Sequence, residues 1–196
     1  MVVVLRPWSL DDAAALVAAS RSDPDLATQF PDVGLGDDEQ ARTHIRGALR
    51  FDGQAKNWAI VEDGVAVGNV GLAAIEFRHA TAWVHYWLAA GARGRGLAAR
   101  ALTSVSPWGF DAGLFRLELG HRSNNPASCR VATIAGFRAE GVERQKLRYG
   151  SVRLGAVRRG DARPAGDRSG AGPARFRGPD DVVRAASVSP RLDTWN

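Results

Sequence analysis

The sequence predicts an α/β fold, and three stretches carry that expectation. Residues 58–71 hold two β-prone runs hinged on Asp63-Gly64, a hairpin signature. Residues 86–100 read YWLAAGARGRGLAAR, an aromatic strand end followed by a glycine-rich turn and a helix start. Residues 114–136 give a short apolar strand, an Asn-Pro helix opening and a closing glycine.

In chain order, Val2-Val3-Val4-Leu5 is a short strand stopped by Pro7. Ser9 is the expected N-cap of a helix from Ala13 to Ser20, with Asp11 and Asp12 suited to its first turn. Pro24, Pro31, Gly34 and Gly36 mark a loop, and Asp37 starts a second helix with Ala41, His44, Ile45, Ala48 and Leu49 at helical spacing. His44 reads best as a solvated or core-edge residue. After the hairpin comes a central strand, Thr81 to Ala89. Strand alternation puts Trp83, His85 and Trp87 on one face and Ala82, Val84, Tyr86 and Leu88 on the other. The helix from Leu97 runs toward Asp111, but Pro107 predicts a kink or an early stop around Ser104 to Ser106. Leu114 to Leu119 is a buried strand, and a helix spans Ala127 to Ala135. Phe137 to Gln145 and Lys146 to Tyr149 read as the last strands.

The glycine turn carries the clearest chemistry. A helix beginning directly after it presents unpaired backbone N–H groups and the positive end of the helix dipole, which suits an anion and phosphate above all. Gly94 and Gly96 let the backbone approach a ligand, and Arg93 and Arg95 add cationic donors. The pattern from Arg93 to Ala98 is RxxGxA. It lacks the Gly-Lys-Ser/Thr ending of a Walker loop and the spacing of a GxGxxG dinucleotide turn.

Arg93-Gly94-Arg95-Gly96-Leu97-Ala98 after a Tyr-Trp-Leu strand resembles the acetyl-CoA pyrophosphate loop of the GNAT N-acetyltransferases. A second block agrees: Asn125-Pro126-Ala127-Ser128, then Ala135-Gly136-Phe137 and Glu140-Gly141, is similar to signatures of the RimJ/RimL-like branch that acetylates ribosomal protein N-termini. The resemblance covers Val2 to about Gly150. It implies a mixed, mostly antiparallel central sheet flanked by helices, with acetyl-CoA as co-substrate, no metal, and a protein N-terminal α-amine or small-molecule amine as acceptor. It also implies cofactor contacts from Leu88, Arg93, Gly94, Arg95, Gly96, Leu97, Ala98 and Asn125, a bulge near the end of the central strand that frees backbone groups for the pantetheine arm, and an acceptor wall built by the first two helices. Ser128 is the implied catalytic residue, near the CoA sulfur and able to donate a hydrogen bond to the leaving thiolate. Without the family, Asn125 reads as a helix cap and Ser128 as an ordinary first-turn residue.

A general base is not evident in the sequence. Glu76, His85, Asp111 and Glu118 are the acid–base residues on the right elements, and His85 has the most suitable ordinary pKa. An α-amine, with a pKa of about 7.7–8.0 against about 10.4 for lysine, needs little help, so a site without a strong base leans toward it.

The chain has 196 residues, is 45% hydrophobic and carries a net charge of +5. Residues 1–150 hold 17 basic and 16 acidic side chains, whereas residues 151–196 hold nine arginines, five aspartates, six glycines and four prolines. The charge is therefore largely a C-terminal property and does not mark the domain as a nucleic-acid binder. Two segments are expected: an acetyl-CoA-binding domain over 1–150 and an irregular, disordered tail over 151–196, lacking the final strand of the family and suggesting a shifted reading frame or an arginine-rich extension. Such a loss would leave open a catalytically weak acyl-CoA-binding domain as the alternative function. The single cysteine, Cys129, reads as a small core-facing residue and excludes an internal disulfide. No apolar run nears the roughly 18 to 20 residues of a membrane span, and no signal segment is visible, so a cytoplasmic location is expected. A homodimer stays open.

Overall fold

The computed structural model describes residues 2–27, 30 and 35–162. Strand β1 (Val3–Pro7) leads through a short 3-10 turn at Leu10–Asp12 into α1 (Ala13–Arg21), α2 (Pro24–Ala27) and α3 (Asp38–Gly47). Then follow β2 (Lys56–Glu62), β3 (Val65–Glu76), β4 (Thr81–Leu88), a 3-10 turn at Ala90–Ala92 and α4 (Leu97–Asp111). The last elements are β5 (Arg116–Arg122), α5 (Pro126–Ile134), β6 (Arg138–Tyr149) and β7 (Val152–Ala162). The seven strands form one sheet in the order β1-β2-β3-β4-β5-β7-β6. Every neighbouring pair is antiparallel except β4 and β5, which are joined by the α4 crossover and run parallel. This is the mixed, mostly antiparallel sheet expected from the sequence.

Local chemistry accounts for most element boundaries. Ser9 and Asp12 form a reciprocal capping box: the Asp12 carboxylate accepts from the Ser9 N–H at 2.9 Å and also receives Arg6 at 2.7 and 2.8 Å. Asp37 caps α3 by accepting from the Gln40 N–H, and Asn125 caps α5 by accepting from the Ser128 N–H. Asp63 and Gly64 both have positive φ, as a two-residue type I′ hairpin turn requires.

Period-two alternation along β4 divides the molecule into layers. Val84, Tyr86 and Leu88 face a core that includes Leu102 and Val105 of α4, Ala132 of α5 and Phe137. Trp87 faces Leu16 and Val17 of α1 and Ala41 and Ile45 of α3. Each fully buried Leu or Val contributes roughly 1.5–3 kcal/mol.

Three expectations are corrected. Helix α4 does not stop before Pro107 but runs on to Asp111. The missing proline N–H falls opposite the carbonyl of Thr103 on the exposed side, while Leu102, Val105, Ser106 and Gly109 pack inward, and that packing outweighs a proline penalty of about 3 kcal/mol. Phe137–Tyr149 is not two strands but one, β6, bent at Gln145, whose φ is +52°, with the register slipping on either side of Glu143.

The third correction is larger: residues 152–162 are not tail but strand β7, which pairs with β6 over 152–160 and with β5 over 156–162 and so lies between them in the sheet. Its arginines have specific partners. Arg159 is buried, donating to His121 Nε2 at 3.1 Å, the Phe137 carbonyl at 2.9 Å and Cys129 Sγ at 3.0 Å. Arg158 pairs with Glu118 at 3.1 Å and lies 4.7 Å from the Trp83 ring centre. The folded domain therefore continues past Gly150, and no shifted reading frame is needed to explain residues 152–162. The rest of the expected tail, 163–196, lies outside the described residues.

Candidate active site

β4 and β5 pair only over Thr81–Trp83 and Arg116–Glu118, and then diverge. A cleft of about 280 Å³ opens in the gap. Its walls include Trp83, His85, Val84 and Tyr86 from both faces of β4, Leu119 to Arg122 of β5, Asn125 and Ser128 of α5, and Leu147 and Tyr149 of β6. Because neighbouring β4 residues point to opposite faces, the cleft is bordered from both sides of the sheet.

The divergence also frees backbone groups. The Ala89 N–H donates to the Val67 carbonyl at 2.9 Å, so antiparallel alternation places Leu88 and Tyr86 in non-hydrogen-bonded pairs with Gly68 and Val70. Their N–H and C=O groups therefore aim toward β5, which has already turned away. The expected bulge is absent: the β3–β4 register is continuous from Ala73↔Trp83 to Gly68↔Leu88. The splay of two parallel strands supplies what the bulge was expected to supply. Nor are all the amides from 88 to 90 open to a ligand, since Ala89 is paired with Val67 and the Ala90 N–H donates to Ser22 Oγ at 3.0 Å.

Past the cleft, β4 runs on into the glycine loop that precedes α4. Gly94 and Gly96 have φ of +76° and +73°, and a Cβ at either would meet nothing within 4 Å, so backbone conformation rather than crowding calls for glycine. Gly96 is the residue before α4, and the first amide to bond back along the helix is that of Arg100, to the Gly96 carbonyl at 3.0 Å. The N–H groups of Leu97 and Ala98 thus belong to the unpaired first turn. Arg95 holds Glu62 through two bonds of 2.8 and 2.7 Å. Arg93 pairs with Asp23 and donates from Nε to the Leu88 carbonyl at 3.2 Å. Both arginines brace the loop in this arrangement while remaining substantially exposed.

On the α5 side, Asn125 Oδ1 accepts from the Ser128 N–H at 3.0 Å, and the Tyr86 hydroxyl donates to the Ser128 carbonyl at 3.2 Å. Ser128 is held by its backbone from two directions. Among the described residues no hydrogen bond ends on its Oγ, and the residue lines the cleft. Burial pushes the Tyr86 hydroxyl pKa up, so it stays a neutral donor. Asn125 and Ser128 thus meet in one cleft, whereas Leu88 and the glycine loop, which follow its β4 residues along the chain, are not among its walls.

Of the four acid–base candidates, only His85 lines the cleft. Glu76 caps the β3–β4 turn by accepting from the Arg78 and His79 N–H groups, Glu118 is paired with Arg116 and Arg158, and Asp111 ends α4. Burial lowers the His85 pKa to about 4. The sequence did not single out Tyr86, His121, Leu147 or Tyr149 as site residues. The strand parity of Tyr86 was visible, but placing the others required knowing which strands diverge. Among the described residues no cluster of His, Cys, Asp and Glu could hold a metal ion, and no helix is long and apolar enough to cross a membrane.

The family model described as acetyltransferase (GNAT) domain matches residues 3–138. No curated protein matches the chain in sequence. Among solved structures, the chain is similar to RimL, a ribosomal L7/L12 α-N-protein acetyltransferase in complex with coenzyme A, at 22% identity and a TM-score of 0.74 over 83% of this chain and 94% of that one. It is also similar to Mycobacterium smegmatis RimJ in complex with CoA-disulfide, at 25% identity and a TM-score of 0.69 over 82% and 81%. A third is the microcin C7 self-immunity acetyltransferase MccE in complex with acetyl-CoA and AMP, at 19% identity and a TM-score of 0.71 over 82% and 92%.

Proposed function

The chain belongs to the GNAT acetyltransferase family, and from that premise we propose that it transfers the acetyl group of acetyl-CoA to a primary amine, a protein N-terminal α-amine or a small amine of similar pKa. The observation that carries this reading is the cleft between the diverging β4 and β5, bordered from both faces of the sheet, on a strand that runs on into a glycine loop and helix N-terminus. In this reading the pyrophosphate sits on the N–H groups of Gly94, Gly96, Leu97 and Ala98, with Arg93 and Arg95 at its edge. The pantetheine arm runs into the splay, where the backbone of Leu88 and Tyr86 pairs with its amides and Asn125 lies alongside. The thioester then lies near Ser128, whose hydroxyl donates to the sulfur as the C–S bond breaks, and the amine approaches from the opposite face. A contact that strengthens as charge builds on sulfur lowers the barrier more than it tightens binding.

The weak acyl-CoA-binding alternative rested on a missing final strand and a broken cofactor helix. Neither is found, since β7 is present and α4 is continuous. The test is release of free CoA from acetyl-CoA on adding a peptide with an unblocked N-terminus, with the acetylated product identified by mass. Calorimetric binding of acetyl-CoA with no acetylation of any peptide or small amine would return the protein to a binding role.

A further inference from the structure

His85 is seated in a polar chain whose direction is fixed at both ends. Asn57 is 1% exposed, and its Nδ2 donates to two backbone carbonyls, Ala48 at 3.3 Å and Arg50 at 3.0 Å. Carbonyls only accept, so the amide cannot be turned round, and Asn57 Oδ1 must face the other way. There it meets His85 Nε2 at 2.9 Å and Asn69 Nδ2 at 3.3 Å. Asn69 is likewise fixed, because its Oδ1 accepts at 2.8 Å from the Trp8 indole, which only donates. An oxygen that only accepts requires a hydrogen on His85 Nε2. The imidazole is therefore the Nε2–H tautomer, with its lone pair on Nδ1.

Gly71, opposite His85 in the register, makes this seat possible: a Cβ there would lie 2.5 Å from Asn57 Oδ1 and 2.7 Å from the imidazole. Among the described residues no hydrogen bond ends on His85 Nδ1, and His85 is one of the residues that line the cleft, on the face of the sheet opposite Ser128.

We infer that His85 Nδ1 receives the proton lost by the acceptor amine, and that the site consequently takes amines that arrive uncharged, α-amines ahead of lysine side chains. This rests on the acetyltransferase reading above. As the amine lone pair bonds to the thioester carbon, the C=O electrons move to oxygen and an N–H proton becomes acidic. His85 Nδ1 takes that proton, the carbonyl reforms, and the C–S pair leaves on sulfur as the CoA thiolate, which is reprotonated from solvent with Ser128 donating to it. The imidazolium returns its proton to solvent. A burial-depressed imidazole is too weak a base to strip an alkylammonium ion, but it is neutral at physiological pH and can accept from the far more acidic nitrogen of the adduct. At pH 7 roughly one α-amine in ten is neutral, against about one lysine in 2,500. A site unable to deprotonate free ammonium therefore inherits that difference as selectivity.

The test uses the full chain with two peptides of equal length, one with a free α-amine and no lysine, the other N-blocked with one lysine. Wild type should favour the first by at least about tenfold in kcat/KM. His85→Gln and His85→Ala should each lower kcat by about 100-fold, within the range usual for a proton-transfer group, with acetyl-CoA affinity within about twofold of wild type. Added imidazole should restore His85→Ala and not His85→Gln. Equal use of the lysine peptide overturns the substrate class. Retained kcat in both variants, or a folded His85→Ala enzyme that imidazole does not restore, overturns the proton acceptor. Wild type inactive on every amine overturns the underlying reading as well, whereas active wild type with indifferent variants overturns this inference alone.

Discussion

Ser128 and Asp12 are single residues whose positions allow opposite predictions. Ser128 is anchored through its backbone N–H and carbonyl, so removing its hydroxyl should leave the cleft intact. Ser128→Ala is expected to lower kcat by about tenfold or more with acetyl-CoA affinity unchanged, the signature of a contact made in the transition state. Equal kcat at equal stability would make Ser128 an ordinary first-turn residue. Asp12 does no chemistry but is 7% exposed and holds Arg6 and the Ser9 N–H together. Burial disfavours its charge, yet the bonds from Arg6 and Ser9 outweigh that and lower its pKa. Asp12→Ala should therefore cost about 1–3 kcal/mol in urea denaturation without altering kcat. Ser9, Asp37 and Asn125 were readable as caps because a cap acts within three residues of itself. The seat of His85 was not readable, because Asn57 lies 28 positions away and its orientation depends on carbonyls of a third segment.

At the scale of elements, the glycine loop was legible because a strand, a turn of glycines and a helix start are consecutive in sequence. Gly96→Val puts a β-branched residue at φ +73°, so the loop must distort. Acetyl-CoA affinity should fall more than tenfold, about 1.4 kcal/mol, by calorimetry, and an unchanged value would remove the loop from the site. β7 was illegible for the converse reason. Arginines at 153, 158 and 159 and glycines at 155 and 160 conceal its alternation, and the half-buried Arg158 and buried Arg159 make sense only beside Glu118, Trp83, His121 and Phe137. Truncation after Gly150, harmless for a disordered tail, should instead expose β5 and release β6, with loss of cooperative unfolding and acetyl-CoA binding.

Across the whole molecule, two histidines join the lowered carboxylates such as Asp12 in the response to acid. Burial lowers the pKa of His85 to about 4 and also lowers that of His44, whose buried Nδ1 has no partner among the described residues. The unfolded chain takes up these protons near pH 6.5, but the folded chain leaves His85 neutral down to about pH 4. Unfolding is therefore favoured as pH falls through that window, by at most about 3 kcal/mol for His85, and is indifferent to these groups above it. Urea midpoints at pH 7 and pH 5 should diverge for wild type and less so for His85→Gln. The strand order has a consequence of another kind, in the sequence of folding events. β6 reaches the sheet only through β7, which follows it after the tight Gly150-Ser151 turn, so the two must form as a local hairpin and then dock on β5 together. Leu147 and Tyr149 travel with that hairpin into the cleft wall. In pulsed amide exchange during refolding, β1 to β5 should gain protection first, and ligand binding should appear only with the slower protection of residues 138–162.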